Sequence, residues 1–290
     1  MSTKILITGA GGQLAQDLIA SAPKSAAITA VSRAQLDIGD RASVDEITDR
    51  LAPAVILNAA AYTAVDRAES EAEQAYRVNR DGPAHLAAAA RRLGARLVHV
   101  STDFVFDGGA GRAYRPEDPT DPIGVYGASK RAGEVAVREI DETALIVRTS
   151  WVYSPHGANF MKTMLRLMAS RPEVRVVADQ IGAPTSAATL AQALWDLVDL
   201  DARGLFHFAD AGVASWYDFA VAIAEDALTA GLLPAPVRVT PITTADYPTP
   251  ARRPAFSLLD RTATWALLGG PRAHWRVALR EVLARLEPAS

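Results

Sequence analysis

The chain has 290 residues, of which 49% are hydrophobic and 22% charged, so it can form one large α/β domain or a domain with a smaller lobe. A net charge of −3 lacks the basic excess of a nucleic-acid binder, and the absence of cysteine excludes disulfides, thiolate metal sites and a cysteine nucleophile. No apolar run has the roughly 20 residues of a membrane helix, and no apolar signal region begins the chain. We therefore expect a cytoplasmic protein that binds neither nucleic acid nor membrane.

The first predicted elements are a buried strand, a glycine-rich turn and a helix. Residues 4–8 are apolar and β-branched, and an apolar pattern with helical spacing starts at Leu14. Between them, Gly9, Gly12 and Ala15 have the extended spacing of a dinucleotide-binding fingerprint, with Gly11 inside it. Small residues here let the backbone approach a pyrophosphate at the helix N-terminus, where unpaired N–H groups attract negative charge.

A second strand is predicted at residues 26–31, and Arg33 follows it, where such a fold meets the adenosine ribose. An acidic residue there favours NAD, whereas an arginine can accommodate a 2′-phosphate. Arg33 therefore favours NADPH, with NADH possible, and a solvated loop arginine is the alternative reading. Asp37 and Ile38 come next and could place a carboxylate or backbone near the adenine.

Two further strands, residues 54–57 and 96–100, bring small and polar residues to the same edge. Small residues at 58–61 suit either a backbone that approaches a ligand or a tightly packed strand–helix junction. Residues 69–93 are predicted helical, with a break or restart at Pro83. The alternation of strands and helices predicts a Rossmann-type, doubly wound parallel sheet that binds ligands at the carboxyl ends of its strands, which places Thr102 near Tyr126.

The helix after residue 122 carries Tyr126 and Lys130 one turn apart on one face. An ammonium beside a phenol lowers the phenol's pKa from its usual value near 10, which suits a proton donor for carbonyl–alcohol chemistry. The alternative is a helix with a buried tyrosine and a solvated lysine. A fifth strand at 144–148 leads to Trp151, either a substrate wall or a lid over the core.

The pattern loosens after residue 151. Helices are predicted at 159–168, 189–200, 216–230 and 275–286, strands at 174–177 and 204–208, and a proline-rich stretch at 234–254. The predicted division is a nucleotide-binding domain of residues 1–152, completed by 185–202, and a smaller α/β substrate lobe of residues 153–184 and 203–290 placed over the cofactor.

Taken together, these residues resemble the extended short-chain dehydrogenase/reductase superfamily and, within it, the dTDP-4-dehydrorhamnose reductases. The matching segments are residues 9–15, 36–38, 58–66, 101–108, 126–130, 148–153, 179–185, 215–220 and 247–254. The Tyr126/Lys130 spacing identifies only the superfamily. The tryptophan-containing segments and the segment with Arg252 and Arg253 distinguish the reductases from sugar-nucleotide epimerases and dehydratases.

The resemblance implies reduction of dTDP-4-dehydro-L-rhamnose to dTDP-L-rhamnose by a reduced nicotinamide, a step that supplies cell-surface polysaccharide. It implies a catalytic set of Thr102, Tyr126 and Lys130. The implied cofactor contacts are Gly12, Gln13, Leu14, Asp37, Ile38, Ala61, Tyr62, Thr63, Tyr126 and Lys130. The implied substrate contacts are Thr102, Asp103 and Trp151, and we add Arg252 or Arg253 as a bidentate ligand of the substrate diphosphate.

Some members of this family are described as magnesium-dependent dimers, so we expect a monomer or a homodimer. Asp17 occupies the first-helix position of the acidic ligands, but residues 186–188 contain no acid. Magnesium is therefore doubtful and we predict no metal site.

Two other functions share the fold. A non-catalytic, nucleotide-sensing regulatory subunit can lose the tyrosine or the lysine, whereas Thr102, Tyr126 and Lys130 are all present here. An epimerase or dehydratase recycles a tightly held NAD, so a cofactor that copurifies and never exchanges would favour that reading.

Overall fold

The structure is a computed structural model that describes residues 2–287; Met1 and residues 288–290 of the predicted domain ranges lie outside the described residues. The strands are β1 (Thr3–Thr8), β2 (Ala26–Val31), β3 (Val55–Asn58), β4 (Arg96–Thr102), β5 (Leu145–Thr149), β6 (Val152–Tyr153), β7 (Glu173–Val177), β8 (Ile181–Gly182), β9 (Thr185–Ser186), β10 (Gly204–His207), β11 (Ala214–Ser215) and β12 (Arg238–Ile242).

The helices are α1 (Gln13–Ala20), α2 (Arg41–Leu51), α3 (Val65–Ala68), α4 (Ala72–Tyr76), α5 (Gly82–Leu93), α6 (Val125–Ile140), α7 (Phe160–Met168), α8 (Ala187–Asp199), α9 (Trp216–Thr229), α10 (Thr262–Leu267) and α11 (Trp275–Leu283). A π-helical turn, Arg77–Asp81, joins α4 to α5, and Pro83 lies in the first turn of α5, directly after it. Within residues 2–287, no helix combines the length and apolar character needed to cross a bilayer.

Six parallel strands form the central sheet in the order β2-β1-β3-β4-β5-β10. β2 pairs with one side of β1 and β3 with the other, so the strand order reverses between β1 and β3. Doubly wound sheets bind ligands outside the carboxyl ends of their strands at such a switch point. The predicted Rossmann-type sheet is confirmed, and Thr8, Asn58 and Thr102 end their strands at the ligand-binding edge.

Both faces of this sheet are buried, which explains why its strands are continuous apolar runs. Ile5 and Ile7 belong to a core shared with α1 and α8. Leu6, between them in the sequence, faces the opposite way into a core shared with α2, α5 and α6. The alternation of side chains along a strand thus supplies both layers from one short segment.

A second core lies outside the sheet and is built by α7, α9, α11 and the parallel pair β7–β12. Its centre includes Met164, Val176, Phe219 and Leu279. The predicted helices at 159–168, 216–230 and 275–286 correspond to α7, α9 and α11. β12 was not predicted, because it lies in the proline-rich stretch; Pro241 is tolerated there since each strand of a two-stranded sheet has a free edge.

The structure differs from the predicted domain division at one strand. Residues 203–290 were assigned to the substrate lobe, yet Gly204–His207 is β10 and pairs in parallel with β5. The preceding helix α8 packs against α1, so α8 and β10 form one more helix–strand unit of the sheet. The strand itself was predicted, at residues 204–208, but its local pattern does not tell which strand it pairs with. We propose a sheet domain of residues 2–152 and 185–208, with the second lobe formed by the rest.

Candidate active site

The turn between β1 and α1 provides an open anion site. Gly9 has φ +78°, and a Cβ there would lie 2.9 Å from the backbone of Ala60, so only glycine fits. The Gly12 N–H donates to the Gly9 carbonyl at 2.8 Å, which closes the turn. Gly12 is also the N-cap of α1, and no side chain caps the helix. The first N–H groups of α1 are therefore available to a phosphate.

The residues flanking this turn have distinct contacts. A Cβ at Gly11 would meet no atom within 4 Å, so the outer side of the turn is open. The Gln13 side chain is held by Asn159, whose Nδ2 donates to Oε1 at 2.8 Å. Leu14 is buried in the sheet core, so only its backbone can face a ligand.

At the end of β2, Arg33 is exposed and its guanidinium has no hydrogen bond or ion pair to the described residues. Asp37, by contrast, pairs with Arg77 at 2.8 Å and accepts from the Gly39 N–H at 3.0 Å. Ile38 is buried, and its carbonyl lies 3.0 Å from His85 Nδ1. Of the residues predicted to meet the adenosine, Arg33 is thus the one with an unused charge.

The loop after β3 is fixed by two buried asparagines. Asn58 Oδ1 accepts from the Thr8 hydroxyl at 2.7 Å and from the Ala60 N–H at 3.1 Å. Asn79 accepts from the Tyr62 N–H at 2.8 Å and donates to the Tyr62 carbonyl at 3.0 Å.

Asn79 also donates to the Ser129 hydroxyl of α6 at 3.0 Å, so it joins the loop that carries Ala61, Tyr62 and Thr63 to the helix that carries Tyr126. Sequence reasoning missed Asn79. The available signal was a polar residue on the buried side of a helical segment.

Tyr126 and Lys130 lie in the first turns of α6, beside the end of β4. Lys130 is only 2% exposed, and its ammonium donates to the Val100 carbonyl at 2.7 Å, which excludes the reading of a solvated lysine. The Thr102 hydroxyl donates to Asp103 at 3.0 Å and accepts from the Phe104 N–H at 3.2 Å. The Tyr126 ring packs edge-on against Phe104. The predicted catalytic residues are therefore brought together.

The electrostatics of this pair differ from the expectation. Burial raises the pKa of Tyr126 to about 12, and a hydrogen bond with Thr102 opposes that shift. Burial lowers the pKa of Lys130 to about 8, opposed by the Glu134 carboxylate. The expected lowering of the Tyr126 pKa by Lys130 is wrong for the protein alone, because desolvation of the phenol is the larger effect. The phenol is therefore protonated near neutral pH, as a proton donor must be.

Two further residues shape the space beside Thr102. Asp103 is 1% exposed, and burial raises the pKa of its carboxyl to about 6. Trp151 follows β5 with φ +46°, a left-handed conformation that is unusual for a bulky side chain.

The Trp151 indole stacks on Trp216 with centroids 3.6 Å apart and planes 6° apart. A Cβ at Gly182 would lie 2.8 Å from the same indole, so this ring is held closely on two sides. A strained backbone that is over-determined by its surroundings is typical of a functional position.

The two arginines of the proline-rich stretch are not equivalent. Arg253 forms a bidentate pair with Asp66 at 3.0 and 2.7 Å, and donates to the Thr249 hydroxyl at 2.6 Å. Arg253 therefore anchors this stretch to the sheet domain. Arg252 is exposed and has no hydrogen bond or ion pair from its guanidinium to the described residues. Only Arg252 keeps a guanidinium available to a ligand.

Asp17, at the position of the acidic metal ligands, already pairs with an arginine of the chain. Its carboxylate is 3% exposed, accepts from Arg285 at 3.0 Å and accepts from the Ser154 hydroxyl at 3.1 Å. In the part of the chain that the structure describes, no three His, Cys, Asp or Glu residues are grouped to hold a metal ion. These residues do not fit a magnesium site.

Comparison with known proteins gives one consistent family. Residues 3–287 match the model of the RmlD substrate binding domain. The chain is 45% identical over 291 residues to a dTDP-4-dehydrorhamnose reductase of Mycobacterium tuberculosis, covering 98% of this chain and 93% of that protein. It is 41% identical over 282 residues to the spore coat polysaccharide biosynthesis protein SpsK of Bacillus subtilis, covering 97% of each. Among solved structures, a dTDP-4-dehydrorhamnose reductase of Bacillus anthracis in complex with NADP superposes with a TM-score of 0.93 at 36% identity, covering 99% of this chain and 100% of that one.

Proposed function

This chain belongs to the family of dTDP-4-dehydrorhamnose reductases, and on that premise we propose that it reduces the 4-keto group of dTDP-4-dehydro-L-rhamnose to give dTDP-L-rhamnose. It is an NAD(P)H-dependent oxidoreductase that serves polysaccharide biosynthesis. The observation that carries the reaction type is the placement of Tyr126 and Thr102 at one carboxyl edge of the sheet, with Lys130 buried one turn behind the phenol.

The described residues fit a dinucleotide. The uncapped start of α1 and the glycine turn suit its pyrophosphate, and the exposed Arg33 suits a 2′-phosphate. The loop of Ala61, Tyr62 and Thr63 borders the same switch point, where Asn79 fixes its backbone. When bound, the reduced nicotinamide supplies the hydride.

The chain's own side chains handle the proton and the developing charge. As the sugar carbonyl is reduced, negative charge develops on its oxygen, and Tyr126 gives that oxygen a proton. The Thr102 hydroxyl donates a hydrogen bond to the same oxygen. To do so, it gives up its hydrogen bond to the Asp103 carboxylate. Lys130 would bind the nicotinamide ribose hydroxyls, and it keeps a positive charge one turn from the phenol.

The sugar nucleotide occupies the space between the sheet edge and the second lobe. Trp151 presents its indole as an apolar wall for the sugar, supported by Trp216. Arg252 binds the diphosphate, and this role is motivated by its free guanidinium in a stretch that Arg253 anchors. An Arg252→Ala variant with an unchanged KM for the sugar nucleotide would refute that role.

The reaction is tested by following the absorbance of reduced nicotinamide with purified protein and the dTDP-4-keto sugar. We expect oxidation by the wild type and a loss of about 10²- to 10⁴-fold in Tyr126→Phe, the range for removal of a general acid. Tyr76→Phe is the matched control, because it removes a phenol on α4 that is not among the proposed site residues. Cofactor binding without any oxidation would refute the reductase and favour a regulatory subunit.

The preference for NADPH rests on Arg33 alone. In Arg33→Ala we expect the KM for NADPH to rise about tenfold while that for NADH stays unchanged, since only NADPH carries the 2′-phosphate. Equal changes for both cofactors would show that Arg33 does not read that phosphate.

A further inference from the structure

A buried ion pair lies behind the catalytic helix, and the reaction described above leaves it without a role. Glu134 of α6 and Arg148 of β5 are 2% and 3% exposed. The Arg148 guanidinium donates twice to this carboxylate, at 2.8 and 2.7 Å. Replacing such a pair by well-packed apolar residues is often neutral or stabilising, so its presence is weak evidence for stability and asks for another explanation.

Glu134 lies on the same face of α6 as the catalytic pair. Tyr126, Lys130 and Glu134 are spaced by four residues, so successive side chains lie one helical turn apart. The Glu134 carboxylate raises the pKa of Lys130 against the larger effect of burial. On the strand side, the neutral His99 faces the same ammonium: burial holds its pKa well below the usual value, and Lys130 adds to that effect.

The same carboxylate reaches the strand that carries Thr102. The Ser101 hydroxyl donates to Glu134 at 2.6 Å. Ser101 lies between Val100, whose carbonyl accepts from Lys130, and Thr102 itself. Glu134 thereby contacts β4 at Ser101, between the residue that accepts from Lys130 and the catalytic Thr102.

The Arg148 guanidinium is also held by contacts on the side away from Glu134. His207 Nδ1 lies 3.1 Å from the Tyr114 carbonyl, which can only accept, so this nitrogen carries the proton and Nε2 accepts from Arg148 at 3.3 Å. Burial lowers the pKa of His207 to about 3, so it stays neutral. Arg148 also donates to the Pro116 carbonyl at 3.2 Å and covers the ring of Phe106. These contacts hold the guanidinium, and through it Glu134, in one place.

We propose that Glu134 is a positioning residue for the reduction: with Ser101 and Arg148 it sets α6 against β4, so that Tyr126 and Thr102 meet the same carbonyl oxygen, and it keeps an anion one turn from Lys130. The inference rests on the proposed function. Removing the anion destabilises the Lys130 ammonium, so the protonated lysine is lost at a lower pH. Removing the Ser101 contact loosens the strand without changing charge.

The test compares Glu134→Gln, Ser101→Ala and the double variant Glu134→Leu with Arg148→Met, which replaces the pair by apolar side chains. Glu225→Gln is the control, because it breaks a surface pair with Arg276 on α9 and α11. For Glu134→Gln and the double variant we expect kcat to fall about 10- to 100-fold with KM changed less than about threefold, as for a misplacement of catalytic groups. For Ser101→Ala we expect a smaller loss of kcat, again without a change of KM.

Two readouts separate positioning from mere stability. The double variant should unfold at a denaturant concentration near that of the wild type and still lose kcat; wild-type kcat in that folded variant would overturn the proposal. In Glu134→Gln the alkaline limb of NADPH affinity, followed by tryptophan fluorescence, should move to lower pH, and an unmoved limb would also overturn it. This binding measurement needs no sugar, so a shifted limb in a protein that reduces no dTDP-4-keto sugar would refute the proposed function and still support the effect of Glu134 on Lys130.

Discussion

The close contact between α6 and the π-helical turn predicts a large effect for Gly133→Ala. A Cβ at Gly133 would lie 2.0 Å from the Asn79 carbonyl oxygen, whereas ordinary contact begins at 3.4 Å. The helix and the turn must therefore separate by roughly 1.4 Å, and neither partner is a flexible side-chain end. Such overpacking costs about 1–3 kcal/mol, and the better helix propensity of alanine returns at most about 1 kcal/mol. We expect a net loss of about 1–2 kcal/mol in the free energy of unfolding.

The same displacement should affect catalysis more than stability. Asn79 holds the Tyr62 backbone and the Ser129 hydroxyl, and Lys130 follows Ser129 directly. A misplacement of about 1 Å at catalytic groups can cost about 100-fold in rate, so we expect a loss of that order. Urea unfolding and initial rates measure the two effects. Gly111→Ala is the control, because a Cβ there meets no atom within 4 Å. A Gly133→Ala protein with the stability and rate of the wild type would refute the argument.

Three further predictions follow from single contacts. Burial raises the pKa of Asp103 to about 6, so the folded chain binds the proton of this carboxyl more tightly than the unfolded chain does. The free energy of unfolding therefore falls as pH rises from about 4 to about 6. Asp103→Asn should therefore gain up to ~3 kcal/mol on the wild type above that range and little below it, as unfolding at several pH values will show; a gain that is independent of pH contradicts this. Trp216→Ala should raise the KM for the sugar nucleotide more than it lowers kcat, because it removes the ring on which Trp151 stacks. Steady-state kinetics that show the reverse would contradict the role of Trp151 as a wall for the sugar. Arg253→Ala should lower the melting temperature by several degrees through the loss of its bidentate pair with Asp66, and an unchanged melting curve would show that the anchor contributes nothing.

Most of the fold could be predicted because its elements have strong local signals. The sheet strands are continuous apolar runs that are buried on both faces, and the helices have apolar stripes bounded by capping residues or glycine. β10 was predicted as a strand at residues 204–208, but not as part of the sheet, and β12 was not predicted because it contains Pro241, which argues locally against a strand. Their pairing is decided by contacts with β5 and β7, which lie far away in the sequence.

The site could be predicted where the chemistry lies in one short motif, and not where it depends on partners. The glycine turn and the spacing of Tyr126 and Lys130 are local patterns. Sequence reasoning could not distinguish Arg252 from Arg253, because only the fold brings Asp66 to Arg253. Glu134 was not singled out for the same reason: it lies on α6, and only the fold brings Arg148 of β5 to it.

The direction of the Tyr126 pKa shift bears on the protonation state in which the site meets its substrate. A tyrosine whose pKa is lowered by a neighbouring ammonium is more populated as the phenolate, the form that accepts a proton when an alcohol is oxidised. With burial raising its pKa to about 12, Tyr126 holds its proton at neutral pH and suits the protonation of an oxygen on which negative charge develops. The Lys130 pKa of about 8 leaves that lysine largely charged at neutral pH, with the Glu134 carboxylate opposing its deprotonation. The apolar environment of the phenol and the carboxylate behind the lysine therefore keep both groups protonated, which is the state that a reductase requires at the start of each turnover.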